Sequence, residues 1–180
     1  ESREPETLDY LSEVEREGVR IARASGPFNF ARLVNAGASV AAGEYLLLLN
    51  NDVEAQREGW LEEMLSRAAE ADVGAVGAKL VFPGGGIQHG GVVLGPNMAA
   101  AHAFDERPDG DPGYGELMRV AHETCAVTAA CLLTPRRLFR QIGGFDGTRF
   151  PVLFNDVDYC LRLRAAGRRV VFTPHLRIVH

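Results

Sequence analysis

The chain has 180 residues, 46% of them hydrophobic and 24% charged, which is the size and composition of one compact domain and not of a disordered or fibrous protein. Its net charge of -5 is mild and its basic residues are scattered, so no stripe that would track nucleic acid is present. The longest apolar run, Tyr45 to Leu49, falls far short of the ~20 residues that span a bilayer, and the acidic start does not read as a signal peptide.

Leu8, Leu11 and Val14 recur at helical spacing and Val19 and Ile21 then alternate, which predicts a helix followed by a short strand before Gly26 and Pro27. Ala31, Val34, Ala38 and Ala41 predict a second helix, closed by Gly43. Leu46 to Leu49 reads as a strand buried on both faces, as parallel sheets require, with Asn50, Asn51 and Asp52 at its carboxyl end. In open α/β sheets that edge is where ligands bind.

Trp60, Leu61, Met64 and Leu65 mark another amphipathic helix, and Gly74 to Phe82 another strand, ending at Pro83. Residues 84–115 are rich in Gly, Pro, His and Asp, which reads as a functional loop or mobile lid, with the weakest order expected at 107–113. Ala126 to Thr134 reads as a strand, and the helix after it is expected to have Thr134 as its cap and Pro135 in its first turn. Gly143 to Gly147 is a tight turn. The helix from Asn155 should bury Val157, Cys160, Leu161 and Leu163, before a strand from Arg168 to Pro174 and a last segment from Leu176 to His180. The alternation gives the α/β class.

Cys125, Cys131 and Cys160 form no CxxC pair and have no His partner at zinc-finger spacing, so they read as reduced thiols of a cytoplasmic protein. Asp52, lifted out of a buried strand, could hold a hard divalent cation, although Asn-Asn-Asp is also an ordinary strand-to-loop turn. Asp156 and Asp158 are two apart, so on a helix they point to different faces; one is left for chemistry while the other caps the helix or pairs with Arg162. His180 ends an apolar segment and reads either as a ligand beside Asp52 or as structural. His89, His102, His122 and His175 have no second ligand at a short spacing and read as structural.

Four blocks occur in order: PFNFARLVNAGASVAAGEYLLLLNNDVE, IQHGGVVLG, AVTAACLLTPRRLFRQIGGFDGTRF and FNDVDYCLRLRAAGRRVVFTPHLRIVH. In that order they resemble the second half of family-2 glycosyltransferases, in particular the bacterial surface-polysaccharide, rhamnosyltransferase-like branch. The resemblance implies a GT-A fold, Rossmann-like, with a mixed, mostly parallel sheet and flanking helices, in one domain over residues 1–180. It also implies a nucleotide-diphosphate sugar as donor, a glycan or lipid-linked acceptor, and inversion at the anomeric carbon.

Residue by residue, Asn50-Asn51-Asp52 then stands at the family's DxD position, with Asp52 ligating Mn2+ or Mg2+ and Asn50 or Asn51 facing ribose or sugar. Asn29 and Asn35 match polar positions of the nucleotide pocket. Asp156 matches the general base, His180 a C-terminal metal ligand, and Gly143, Gly144 and Phe145 a turn beside the sugars. A carboxylate taking the proton of the attacking hydroxyl contributes typically about 10²–10⁴-fold, and a cation stabilises charge on the departing diphosphate.

The sequence departs from the family in two ways. Asn50 stands where the family has its first Asp. The family's opening strand and early Asp have no counterpart, so the chain reads as lacking the first strand or strands, with an exposed sheet edge open to self-association and no activity expected of the isolated fragment. A non-catalytic module that binds sugar nucleotide or polysaccharide is the alternative, and a carboxylate-metal hydrolase would need more ligands than Asp52, Asp156 and His180 supply. The resemblance further implies a place in the cytoplasm, peripheral to the inner face of the cell membrane.

Overall fold

The spine of the molecule is a nine-residue strand, β3 (Val73–Val81), every residue of which is buried. The structure is a computed structural model that describes residues 4–95 and 100–180. Before β3 come α1 (Pro5–Arg16), α2 (Phe30–Val40), β1 (Tyr45–Leu49), β2 (Glu54–Ala55) and α3 (Trp60–Ala68). After it come β4 (Ile87–His89), β5 (Val92–Val93), β6 (Ala101–His102), irregular helical turns at Tyr114–Arg119 and β7 (His122–Glu123). The chain ends with β8 (Cys131–Pro135), α4 (Arg136–Ile142), α5 (Asn155–Ala165) and β9 (Arg169–Val179).

The main sheet runs β1-β8-β3-β9-β2, with β4 added to β3 and β7 to β9. Side chains alternate across it. Val170 and Phe172 join Leu138, Phe139, Tyr159 and Leu163 of α4 and α5 on one face. Val171 and Val76 join Met64 and Ala68 of α3 on the other. Gly77 belongs to this packing, because a Cβ there would collide with the Val127 side chain.

The structure has the expected α/β layering and a mixed sheet, but only β3 and β9 run parallel among the described strands. β8 enters between β1 and β3 antiparallel to both. β1 is correspondingly not buried on both faces: among the described strands it pairs with β8 alone, and Leu49 at its end is 44% exposed. The strand expected around Val19 and Ile21 is absent; these residues have no regular structure and find no partner strand among the described residues.

Three further expectations are corrected. Thr134 does not cap α4, whose cap position is Pro135. Its hydroxyl donates instead to Gly74 O at 2.7 Å and accepts from the buried Tyr159 hydroxyl at 2.8 Å, a contact between sheet and α5. Leu161 lies on the exposed side of α5 and Tyr159 takes the buried place expected for it. The two last segments form one strand, β9, whose register on β3 shifts between Thr173 and Arg177. Pro174 lies in that irregularity, where its missing N–H interrupts no ladder.

Residues 84–115 contain three short strands among those described. Within 107–113, Asp109 is fastened by Lys79 at 2.6 Å and by Arg177 at 2.7 Å. Partial burial works to raise the Asp109 carboxyl, but hydrogen bonds from those two cations overcome it and hold it below its ordinary value. Cys131 and Cys160 are buried free thiols, as read from the sequence, and burial pushes both up to about 12. No described helix is long and apolar enough to cross a membrane.

Candidate functional site

The carboxyl end of β1 is joined to the far end of the chain by strand register. β2 pairs with β9 so that Glu54 faces Val179, and the residues just beyond, Asp52 and His180, meet with Oδ1 3.3 Å from Nε2. Asn50 reaches the same place, its backbone N–H donating to Ala130 O at 3.0 Å and its side-chain amide lying 3.0 Å from His180 Nε2.

Gln88 fixes the His180 ring. Its amide nitrogen donates to His180 O at 3.1 Å, which leaves its amide oxygen to accept from His180 Nδ1–H at 2.6 Å. In the neutral ring the Nε2 lone pair therefore points to the side where Asn50 and Asp52 lie. An imidazole whose other N–H is held by a partner is the usual form of a metal-ligating histidine.

Asp156 stands at the first turn of α5. Its Oδ2 accepts from Ala129 N at 3.0 Å and its Oδ1 from Val157 N at 2.8 Å, so both oxygens are oriented by backbone amides and each keeps a free lone pair. Asp158 is diverted to Arg162 at 2.8 Å, the pairing that the spacing suggested. Asn50, His102, Asp156 and His180 line one cleft of about 350 Å³, with Phe28 and Phe30 among its apolar walls.

The peptide 128–130 is the hub of this cleft. Thr128 N donates to His89 Nε2, Ala129 N to Asp156, and Ala130 O accepts from Asn50 N.

Other residues singled out in the sequence stand apart from the cleft. Asn29 caps α2 by accepting from Arg32 N at 2.8 Å and donates to Gly147 O at 2.8 Å. Asn35 donates to Phe145 O at 2.8 Å and accepts from Phe145 N at 2.9 Å, so its amide is spent on the turn after α4. Gly144 has a positive φ of 65° there, and Phe145 is buried in the core. These four form a frame behind the cleft. Asn51 is exposed in the turn after β1. Among the described residues no three His, Cys, Asp or Glu side chains gather closely enough to hold a metal by themselves.

Sequence reasoning did not single out Gln88 or Thr128, and it read His89 and His102 as structural without seeing that they meet. The block IQHGGVVLG contains two of them, but their partners come from other elements and no spacing rule connects them.

Comparison with known proteins gives a family and a fold. A model of "Glycosyl transferase family 2" matches residues 1–142. The y4gI protein of Sinorhizobium fredii is 40% identical over 179 residues, covering 98% of this chain and 20% of its own length. The O-antigen biosynthesis protein RfbC of Myxococcus xanthus is 44% identical over 158 residues, or 86% of this chain and 12% of that protein. The chain thus spans a fifth or less of the length of these two relatives. Among solved structures, GalNAc-T7 with UDP, GalNAc and Mn2+ aligns over 98% of this chain and 34% of its own, with a TM-score of 0.74 at 15% identity. The Pyrobaculum calidifontis mannosyltransferase PcManGT with GDP-Man and Mn2+ aligns over 98% of this chain and 43% of its own, with a TM-score of 0.60 at 17% identity. At these identities the likeness is one of fold, and the fold is GT-A.

Proposed function

The chain belongs to glycosyl transferase family 2, and from that premise we propose that it is the catalytic domain of an inverting, metal-dependent glycosyltransferase. It moves a sugar from a nucleotide-diphosphate donor to a hydroxyl of a glycan or lipid-linked acceptor, in cell-surface polysaccharide synthesis at the cytoplasmic face of the membrane. The relation to an O-antigen biosynthesis protein supports the pathway class. The observation that carries the reading is the meeting of Asp52 and His180 beside the cleft that Asp156 lines.

The donor set fits Mn2+ or Mg2+: one carboxylate oxygen and one imidazole lone pair, with the remaining positions left to water and phosphate oxygens. Asp52 and His180 would hold the ion, with Gln88 orienting His180 and the Asn50 amide beside it. When bound, the ion neutralises charge on the diphosphate. Two protein ligands make a site that binds strongly only when the donor's phosphates share it.

Asp156 accepts the proton of the attacking hydroxyl. The Ala129 and Val157 amides aim it, and their one bond to each oxygen leaves a lone pair for the proton. The hydroxyl attacks as the diphosphate leaves, a single displacement that inverts the anomeric carbon. No protein nucleophile takes part.

Transfer by the intact protein, assayed across a panel of nucleotide sugars with Mn2+, tests the assignment. Asp156→Asn is expected to lower kcat by roughly 10²–10⁴-fold with donor binding retained. Transfer at the unchanged rate would remove Asp156 as base, and donor binding without any turnover in the unsubstituted protein would favour a non-catalytic sugar-nucleotide module.

A further inference from the structure

Behind the cleft, His89 is fully buried and His102 stands at its mouth, their Nδ1 atoms 2.7 Å apart and their rings nearly perpendicular at 83°. The hydrogen positions in this pair follow from one contact. Thr128 N approaches His89 Nε2 at 3.4 Å, and a backbone amide can only donate, so Nε2 carries the lone pair. Burial first, and the neighbouring His102 second, hold His89 well below the ordinary histidine value, so it is neutral. Its single proton is then on Nδ1 and is donated to His102 Nδ1. In neutral His102 the proton is left on Nε2, the remaining nitrogen of a ring that lines the cleft with Asn50, Asp156 and His180.

We propose that His102 is a specificity residue that donates a hydrogen bond from Nε2–H to a hydroxyl of the acceptor sugar, with His89 as the positioning residue that fixes this tautomer. The proposal rests on reading Asp156 as the base for that sugar. Asp156 is an acceptor, and a sugar offers adjacent hydroxyls that each donate and accept. One hydroxyl gives its proton to Asp156, and a neighbour on the same ring accepts from His102. Two contacts of opposite polarity set the sugar's orientation where one would leave it free to turn. His102 cannot itself act as base, since Nδ1 is engaged by His89 and Nε2 carries hydrogen. The hub peptide supports the pairing of roles: Thr128 N holds His89 and the next amide, Ala129 N, holds Asp156, so both groups are referenced to one rigid piece of backbone.

Nitrogen-15 NMR of the histidine-labelled full chain reads this directly. The expected spectrum has His89 protonated on Nδ1 and His102 on Nε2. Methyl α-rhamnoside, methyl β-glucoside and methyl β-galactoside, each at roughly tens of millimolar to match the weak affinity of single sugars, serve as probes. At least one is expected to move the His102 Nε2 resonance while leaving His175 unmoved, in the unsubstituted chain and in Asp156→Asn alike. His102 found protonated on Nδ1, or an Nε2 resonance unmoved by all three sugars, would overturn the proposal. In His89→Leu the His102 tautomers should become mixed, and a single Nε2–H form there would remove His89 from its role. Failure of the base assignment shows separately, as retained transfer by Asp156→Asn with the His102 signature intact.

Discussion

His180 Nε2 stands 3.3 Å from Asp52 Oδ1 because β2 and β9 are in a register that sets Glu54 opposite Val179. His180 N donates to Val81 O at 3.0 Å, so the ring's backbone is anchored to the central strand before any ligand arrives.

Gln88 converts that anchored backbone into an oriented ring. Gln88→Leu removes the acceptor of Nδ1–H and lets the imidazole rotate or change tautomer. Partners of this kind typically change metal affinity by about 10–100-fold. A Mn2+ titration in the presence of UDP or GDP should show a loss of that size in Gln88→Leu and a larger one in Asp52→Ala. Equal affinity in Gln88→Leu and the unsubstituted protein would mean that His180 is not a ligand.

Asp156 and Asp158 should separate activity from stability. Asp158 binds Arg162, whose guanidinium also donates to Ile142 O and Gly144 O at 2.7 Å each, tying α5 to the turn after α4. Asp158→Asn is expected to cost about 0.5–1 kcal/mol in urea denaturation and to leave kcat within a few fold. A kcat loss in Asp158→Asn matching that of Asp156→Asn would show that the base has been assigned to the wrong carboxylate.

The elements that the sequence specified well are those with clear apolar patterns: α2, α3 and β3 follow from their own spacing, whereas α5 was found but its buried face was misread at Leu161. Asp52, Asp156 and His180 were singled out only by the order of four blocks, since each alone also reads as a turn, a cap or a structural ring, and the structure brings Asp52 to His180 beside the cleft that Asp156 lines. What could not be read is set by contacts between distant segments. Asn29 and Asn35 look like pocket residues until the turn 143–147 packs against them and takes their amides. Thr134 looks like a helix cap until Tyr159 supplies a buried hydroxyl. Leu46 to Leu49 looks like a central strand, because an apolar run does not reveal how many partners it has.

The frame behind the cleft gives a stability prediction. Asn35→Ala leaves Phe145 N and O without their partner in a part-buried position, and each unmet backbone group costs about 1–3 kcal/mol. Gly144→Ala strains the same place twice: φ is 65°, and the added Cβ would lie 2.5 Å from Asn35 Oδ1. Both variants should lower the urea midpoint, and because they act on one turn, the double variant should lose less than the sum of the two. Full additivity would show that the Asn35 amide and the Gly144 backbone do not act through the same contact.

Acid should loosen this turn through Asp146. Its carboxylate accepts from Arg149 N and Thr148 N and pairs with the Arg149 side chain at 2.7 Å. The Arg149 backbone bond first, then the Arg149 side-chain bond and the Thr148 amide, bring the carboxyl from its ordinary 3.8 down to about 2. The folded value is the lower one, so this contribution to stability is fully present above pH of about 4 and is lost as pH falls toward about 2. Asp146→Asn cannot gain a charge on either side of that window. The difference in urea midpoint between the unsubstituted chain and Asp146→Asn should therefore be constant from about pH 7 to pH 5 and close between about pH 4 and pH 2. Asp109, whose carboxyl is also held low, is present in both proteins and cancels from the comparison. A difference that stays constant through the acid range would show that the Asp146 bonds act through shape alone and not through its charge.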